Sequence, residues 1–147
     1  MSERFRPNTT VAAVIERGGR FLLVEEQTDA GVRLNQPAGH LEAGESLLDA
    51  VRREVLEETG YAFTPEGLVG VYLAPGKTTY LRFAFYGSVG AAPVSTQLDS
   101  GIIAARWLDY DALLASADRL RSALVTRCVD DWRAGARHPL SLLHTLP

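Results

Sequence analysis

Residues 39–61, GHLEAGESLLDAVRREVLEETGY, form the stretch that decides the fold of this 147-residue chain. Ser46 is a good N-cap with Asp49 three residues on, and Gly60 is a natural stop, so the spacing predicts a helix from Leu47 to Thr59. Its apolar side is Leu47, Leu48, Val51 and Val55, at i, i+1, i+4 and i+8, the stripe of a helix packed on a sheet. Glu54, Glu57 and Glu58 stand at i, i+3 and i+4, which puts three carboxylates within an arc of roughly 100°. Like charges so placed cost a few tenths of a kcal/mol per pair in an isolated helix, and more when partly buried. A divalent cation would turn that cost into a site. Hard oxygen ligands without His or Cys favour Mg²⁺, with Mn²⁺ as the alternative, and such ions commonly add water and substrate phosphate oxygens to a few carboxylates.

The residues around the helix extend this pattern. Arg53 can reach Asp49 at i−4 and Glu57 at i+4, and so orients a carboxylate and softens the repulsion. Glu45 lies just before the helix, where the positive end of the dipole stabilises it, and is placed to brace the loop. Gly39 and Gly44 allow backbone conformations that would turn the Ala38 and Gly39 carbonyls toward a cation. Glu-rich helix faces are ordinarily solvated, and the spacing alone fits that alternative too.

Outward from the helix the pattern is β-rich. Thr9 to Ile15 and Phe21 to Val24 flank Arg17-Gly18-Gly19-Arg20 and read as a hairpin. A polar loop, Gln27 to Gly31, precedes a short stretch from Val32 to Asn35 and a turn, Gln36-Pro37-Ala38-Gly39. Beyond the helix, Leu68 to Leu73 and Thr79 to Val89 are strand-like runs divided by Pro75-Gly76-Lys77. A loop from Gly90 to Gly101 leads to a strand over Ile102 to Leu108, and Asp109 caps a short helix through Ala115. Ser122 to Ala134 completes the pattern as a helix with Leu124, Val125, Cys128, Val129 and Trp132 on its apolar side. The order β-β-β-α-β-β-β-α-α implies a mixed sheet with helices on its faces, an α/β or α+β sandwich.

Composition narrows the function classes. With 46% hydrophobic and 22% charged residues the chain is an ordinary globular sequence of one expected domain, residues 1–147, with its core over about 9–143. The single cysteine, Cys128, excludes an intramolecular disulfide and paired-cysteine zinc sites and fits a reducing compartment, so cytoplasmic localisation is expected. A net charge of −3 supplies no global field for nucleic acid or an anionic membrane, so a polyanionic ligand must be met locally. The opening MSERFRPNTT lacks the apolar run of a signal peptide, and no stretch approaches the ~20 apolar residues of a membrane span. A monomer or small homo-oligomer is expected.

The central stretch also matches Gly-x5-Glu-x7-Arg-Glu-U-x-Glu-Glu-x-Gly-U, with U a bulky apolar residue, through Gly39, Glu45, Arg53, Glu54, Val55, Glu57, Glu58, Gly60 and Tyr61. From average residue frequencies its seven fixed letters coincide at roughly 10⁻⁸ per starting position. The chain thereby resembles the Nudix family. Through NQPAGHLE, LRFAF, the LDS run before RW, RSALV and HPLSLL it is similar to the NudJ-type phosphatases within it, over roughly Thr9 to Leu143. The resemblance implies an α/β/α sandwich and Mg²⁺-dependent hydrolysis of a diphosphate linkage. It implies Glu54, Glu57 and Glu58 as metal ligands and catalytic residues, one of them serving as base, with Arg53 orienting them. Many family members draw a further acidic ligand from the loop before the strand carrying Arg106-Trp107; at the usual position this chain has Gly101, and the nearest acid is Asp99.

Arg33, Lys77 and Arg82 are the candidates for substrate phosphate contacts, since Arg binds oxyanions in a fork and Lys as a point charge. His40 is a further phosphate contact or a structural loop residue, and Tyr72, Tyr80, Phe83 and Tyr86 include stacking partners or core residues. Ser95, His138 and His144 form no nucleophilic triad pattern. The chain has no evident cluster of Asn, Asp and Gln for reading a base edge, which predicts that nucleotides differ by no more than about tenfold. The expected substrates are nucleoside tri- and diphosphates or small organic diphosphates such as thiamine or hydroxymethylpyrimidine diphosphate, with phosphate released. The alternatives are pyrophosphatases of nucleotide sugars, dinucleotides or capped RNA, and a nucleotide-binding module that does not cleave.

Overall fold

A computed structural model describes residues 3–147. In chain order the elements are β1 (Asn8–Arg17), β2 (Arg20–Thr28), β3 (Gly31–Asn35), β4 (Ala38–His40), α1 (Leu47–Thr59), β5 (Phe63–Ala74), β6 (Tyr80–Val89), β7 (Ile102–Asp109), α2 (Tyr110–Ala115) and α3 (Leu124–Arg133). Single 3₁₀ turns occupy Ala117–Arg119 and Leu140–Leu142. The fold is a mixed sheet with helices on its faces, as the alternation of strand and helix patterns requires.

Helix α1 has the predicted bounds for the predicted reasons. The Ser46 hydroxyl accepts from the Asp49 amide at 3.1 Å, and Gly60 ends the helix at φ 79°, with its N–H donating to the Leu56 carbonyl. Gly60 has a second duty. Its carbonyl accepts from the amides of Val94 (2.8 Å) and Ser95 (3.1 Å), and a Cβ there would collide with the Ser95 carbonyl, so residue 60 pins the loop before β7 onto the end of α1.

The hairpin is real only at its base. Strands β1 and β2 pair through Glu16↔Phe21 and Arg17↔Arg20, then diverge: β1 runs parallel to β6 and antiparallel to β4, while β2 pairs with β3 and β7. The stretch Ala38–His40, expected within a turn, is a short strand because β1 supplies an edge for it, with Ala13 N–H donating to the Pro37 carbonyl and Leu41 N–H to the Thr9 carbonyl. The expected loop over Gln27 to Gly31 contracts to a tight turn at residues 29–30, with β2 running on to Thr28.

Period-two alternation divides the core between the two faces of the sheet. Val11, Ala13, Ile15 and Phe85 face α1 and join Val51 and Val55, with Phe83 packed against them. Val14, Ala84 and Val69 face α3 and join Val125, Cys128 and Val129. Cys128 is thus a buried packing residue, and Tyr72 is fixed on the same side by a 2.7 Å bond from its hydroxyl to Asp131. Among the described residues no helix is long and apolar enough to cross a membrane.

Candidate functional site

Two of the α1 carboxylates, Glu54 and Glu57, gather with Glu45 around one guanidinium. Arg53 donates through Nε and Nη2 to both oxygens of Glu45 (3.0 and 2.7 Å), through Nη1 to Glu54 (2.8 Å) and Glu57 (3.2 Å), and through Nη2 to the His40 carbonyl (3.0 Å). All five of its N–H donors are engaged. The expected link to Glu57 is present; Asp49 instead pairs with Arg52 at 3.7 Å, because Arg53 turns inward over the loop that carries Glu45. Glu45 also accepts from the Glu42 amide at 2.8 Å, so it braces that loop. The Arg53 bond holds the Glu45 carboxyl below its ordinary range, and Glu45 in turn raises the Arg53 value.

The glutamates differ in their surroundings. Burial raises the Glu54 and Glu57 carboxyls above their ordinary value, partly opposed by Arg53. Glu58 is buried more deeply in its charged end, and burial pushes it up to about 8 although the Ala38 amide donates to it at 2.9 Å. In an antiparallel strand a residue's N–H and C=O leave on the same side. The Ala38 carbonyl therefore also faces away from β1, toward α1. Gly39 must stay side-chain-free because a Cβ would overlap the Glu54 carboxyl.

The acid that helix periodicity could not supply comes from the pinned loop. The Asp99 N–H donates to the Glu57 carbonyl at 2.8 Å, and Glu54, Glu57 and Asp99 each offer a carboxylate oxygen within 4.8 Å of the others. Glu58 lies outside that trio, turned to Ala38. The only sequence sign of Asp99 was its being the acid nearest β7.

A cavity of about 360 Å³ opens on the other side of β4, lined by Ala38, Gly39, His40, Thr10, Asn35, Tyr80 and Arg82 among others. Arg82 is buried in its wall, whereas the structure does not bring Arg33 or Lys77 there. Arg33 donates to the Val32 carbonyl at 2.9 Å, because the alternation that buries Leu34 turns Arg33 away; Lys77 is exposed in the β5–β6 turn. Phe83 belongs to the α1-side core, Tyr86 packs under the Arg137 guanidinium, and of the strand aromatics Tyr80 lines the cavity. Sequence reasoning missed Gln36, which is 1% exposed and accepts from Arg82 at 3.0 Å.

Comparison with known proteins is consistent throughout. The NUDIX domain family matches residues 4–127. The phosphatase NudJ of Escherichia coli (strain K12) is 39% identical over 141 residues, covering 95% of this chain and 92% of that protein. A solved NUDIX hydrolase from Nitrosomonas europaea superposes with a TM-score of 0.92 at 48% identity, over 96% of this chain and 98% of that one. A MutT protein from Methanosarcina mazei Go1, at 23% identity, shares the fold with a TM-score of 0.74 over 92% of this chain and 100% of that one.

Proposed function

This chain belongs to the Nudix family and is a hydrolase of phosphorus-containing acid anhydrides; from that premise we propose that it is a Mg²⁺-dependent phosphatase of nucleoside tri- and diphosphates or small organic diphosphates. The observation that carries this is the Glu54, Glu57 and Asp99 trio beside a cavity of small-molecule size. Three carboxylates this close, two of them raised by burial, fit a divalent cation, and their all-oxygen chemistry suits Mg²⁺, or Mn²⁺, over softer ions. Glu54, Glu57 and Asp99 would hold it, with Glu58 and the Ala38 carbonyl adjoining. When bound, such a cation neutralises phosphate oxygens and lowers the pKa of water.

The chain's own residues supply the rest. A glutamate of the cluster accepts a proton from the attacking water, so no covalent intermediate is needed. Arg53 keeps Glu45, Glu54 and Glu57 in one arrangement, which acts on the rate through positioning. The bond we assign to cleavage is the terminal one, giving a diphosphate plus phosphate from a triphosphate. The support is the likeness to a phosphatase over nearly the whole chain. Small nucleotides and organic diphosphates, rather than RNA, are the partners that a chain of net charge −3 favours.

The test is a substrate panel of GTP, ATP, pyrimidine nucleotides, thiamine diphosphate, hydroxymethylpyrimidine diphosphate and ADP-ribose with Mg²⁺ or Mn²⁺, run in ¹⁸O-water. Label in inorganic phosphate from GTP is expected. GMP and pyrophosphate as first products would overturn terminal cleavage, and metal-independent turnover would overturn the cation assignment.

A further inference from the structure

Arg82 is 6% exposed, yet its three protein partners are all neutral: Gln36 Oε1 at 3.0 Å, Asn35 Oδ1 at 3.2 Å and Cys128 Sγ at 3.9 Å. Burial raises the Cys128 thiol above its ordinary value, so the sulfur brings no charge. Burying a guanidinium without a carboxylate is unfavourable unless something else supplies acceptors. Here the arrangement is locked, since Gln36 donates its own amide to the Val125 carbonyl at 2.7 Å and cannot turn away. Nε–H and a second Nη2–H have no protein acceptor among the described residues, and Arg82 lines the cavity.

Strand geometry places this group away from the carboxylates. Gly39, Val11 and Phe83 share a row across β4, β1 and β6, and that row faces Glu54 and α1. His40, Thr10 and Arg82 form the neighbouring row, which alternation turns to the α3 side. A substrate whose phosphates lie at the carboxylates therefore rounds the β4 edge and presents its other end to Arg82. The cavity there combines apolar walls from Ala74, Pro75 and Leu124 beside the Tyr80 ring with the Glu26–Arg121 ion pair, a mixed lining that suits a flat heterocycle with a polar edge.

Building on the phosphatase function above, we propose that Arg82, held by Gln36 and Asn35, is a specificity-determining residue that reads the ring edge of the substrate's heterocycle and favours guanine over adenine. What Arg82 offers the cavity is donors only, its free Nε–H and second Nη2–H, since Gln36, Asn35 and Cys128 take its other bonds. Guanine O6 and N7 are adjacent acceptors that an arginine fork can meet with two parallel bonds; adenine offers N7 beside an amino donor that opposes the guanidinium. Such a contact discriminates by about 5- to 150-fold. Most of this range lies above the tenfold ceiling expected from a chain without a visible base-reading cluster.

The test is calorimetric binding of guanosine, adenosine and inorganic phosphate to the full chain in EDTA, with no turnover. Guanosine should bind about 5- to 150-fold tighter than adenosine and resist displacement by inorganic phosphate. Arg82→Lys, which keeps the charge but loses the fork, should bring the two nucleosides within about twofold of each other. Equal affinities in the wild type, no saturable guanosine binding, or competitive displacement by phosphate would each overturn the proposal, the last by making Arg82 an anion site. If the variant does not fold, the wild-type ratio and the phosphate competition still decide. Failure here leaves hydrolysis untouched, whereas selective guanosine binding without hydrolysis of any panel substrate would refute the phosphatase function alone.

Discussion

Replacing Glu58 by Gln should stabilise the metal-free protein at neutral and alkaline pH. Burial lifts the Glu58 carboxyl from 4.5 to about 8. Between those values the folded chain binds a proton that the unfolded chain releases, so stability falls as pH rises through that window and levels off above it. A rise of this size corresponds to roughly 5 kcal/mol at full ionisation, and about 3 kcal/mol of it is felt at pH 7. Gln keeps an oxygen for the Ala38 amide and carries no charge, so the variant lacks this loss. Glu54 and Glu57 are raised in the same sense, so its pH profile should be shallower than wild type without being flat. Thermal unfolding in EDTA at pH 5, 7 and 9 tests this. The two proteins should nearly coincide at pH 5, and the variant should melt higher by about 10–20 °C at pH 9. Parallel pH profiles would refute the account of Glu58 as a buried, reluctantly ionised carboxyl. Mg²⁺ should then raise the wild-type melting temperature more at pH 8 than at pH 6, because its ligands must be deprotonated.

Other perturbations separate the parts of the site. Arg53→Ala should lower kcat/KM by about 10- to 100-fold, and Arg53→Lys should not restore it, since one ammonium cannot replace five forked donors; wild-type kinetics and metal titration in the Ala variant would sink its positioning role. Asp99→Asn should raise the half-saturating Mg²⁺ concentration by about tenfold, equivalent to about 1.4 kcal/mol, with the melting temperature of the apoprotein unchanged or higher; an unshifted titration would remove Asp99 from the ligand set. Glu57→Gln should weaken Mg²⁺ dependence and lower kcat while leaving the fold intact, and near-normal turnover at limiting Mg²⁺ would argue against its ligand role. Gly39→Ala should displace the Glu54 carboxyl, so activity falls while destabilisation stays within about 1–3 kcal/mol; circular dichroism and a metal titration read the two effects separately.

What the sequence by itself determined is local. Helix α1 runs from Leu47 to Thr59 in both, because Ser46, Asp49 and Gly60 act within one turn of the ends they fix, and the 3.6-residue period alone puts Glu54, Glu57 and Glu58 on one face. The α2 cap at Asp109 and the buried stripe of Val125, Cys128 and Val129 were legible for the same reason. Tertiary structure decided whatever depends on one segment meeting another. Strand β4 exists because β1 offers an edge, and β1 abandons β2 for β6 because parallel pairing is set by the packed sheet rather than by the Arg17–Arg20 turn. Asp99 reaches the glutamates because Gly60 tethers its loop and its own amide bonds the Glu57 carbonyl. Arg82 meets Gln36, 46 residues away, and Asn35, 47 residues away, only because the packed sheet brings β6 against the end of β3, and nothing in either segment's own residues signals that approach. Periodicity and capping are written in neighbouring side chains, whereas the approach of distant strands is fixed by which arrangement buries the whole core.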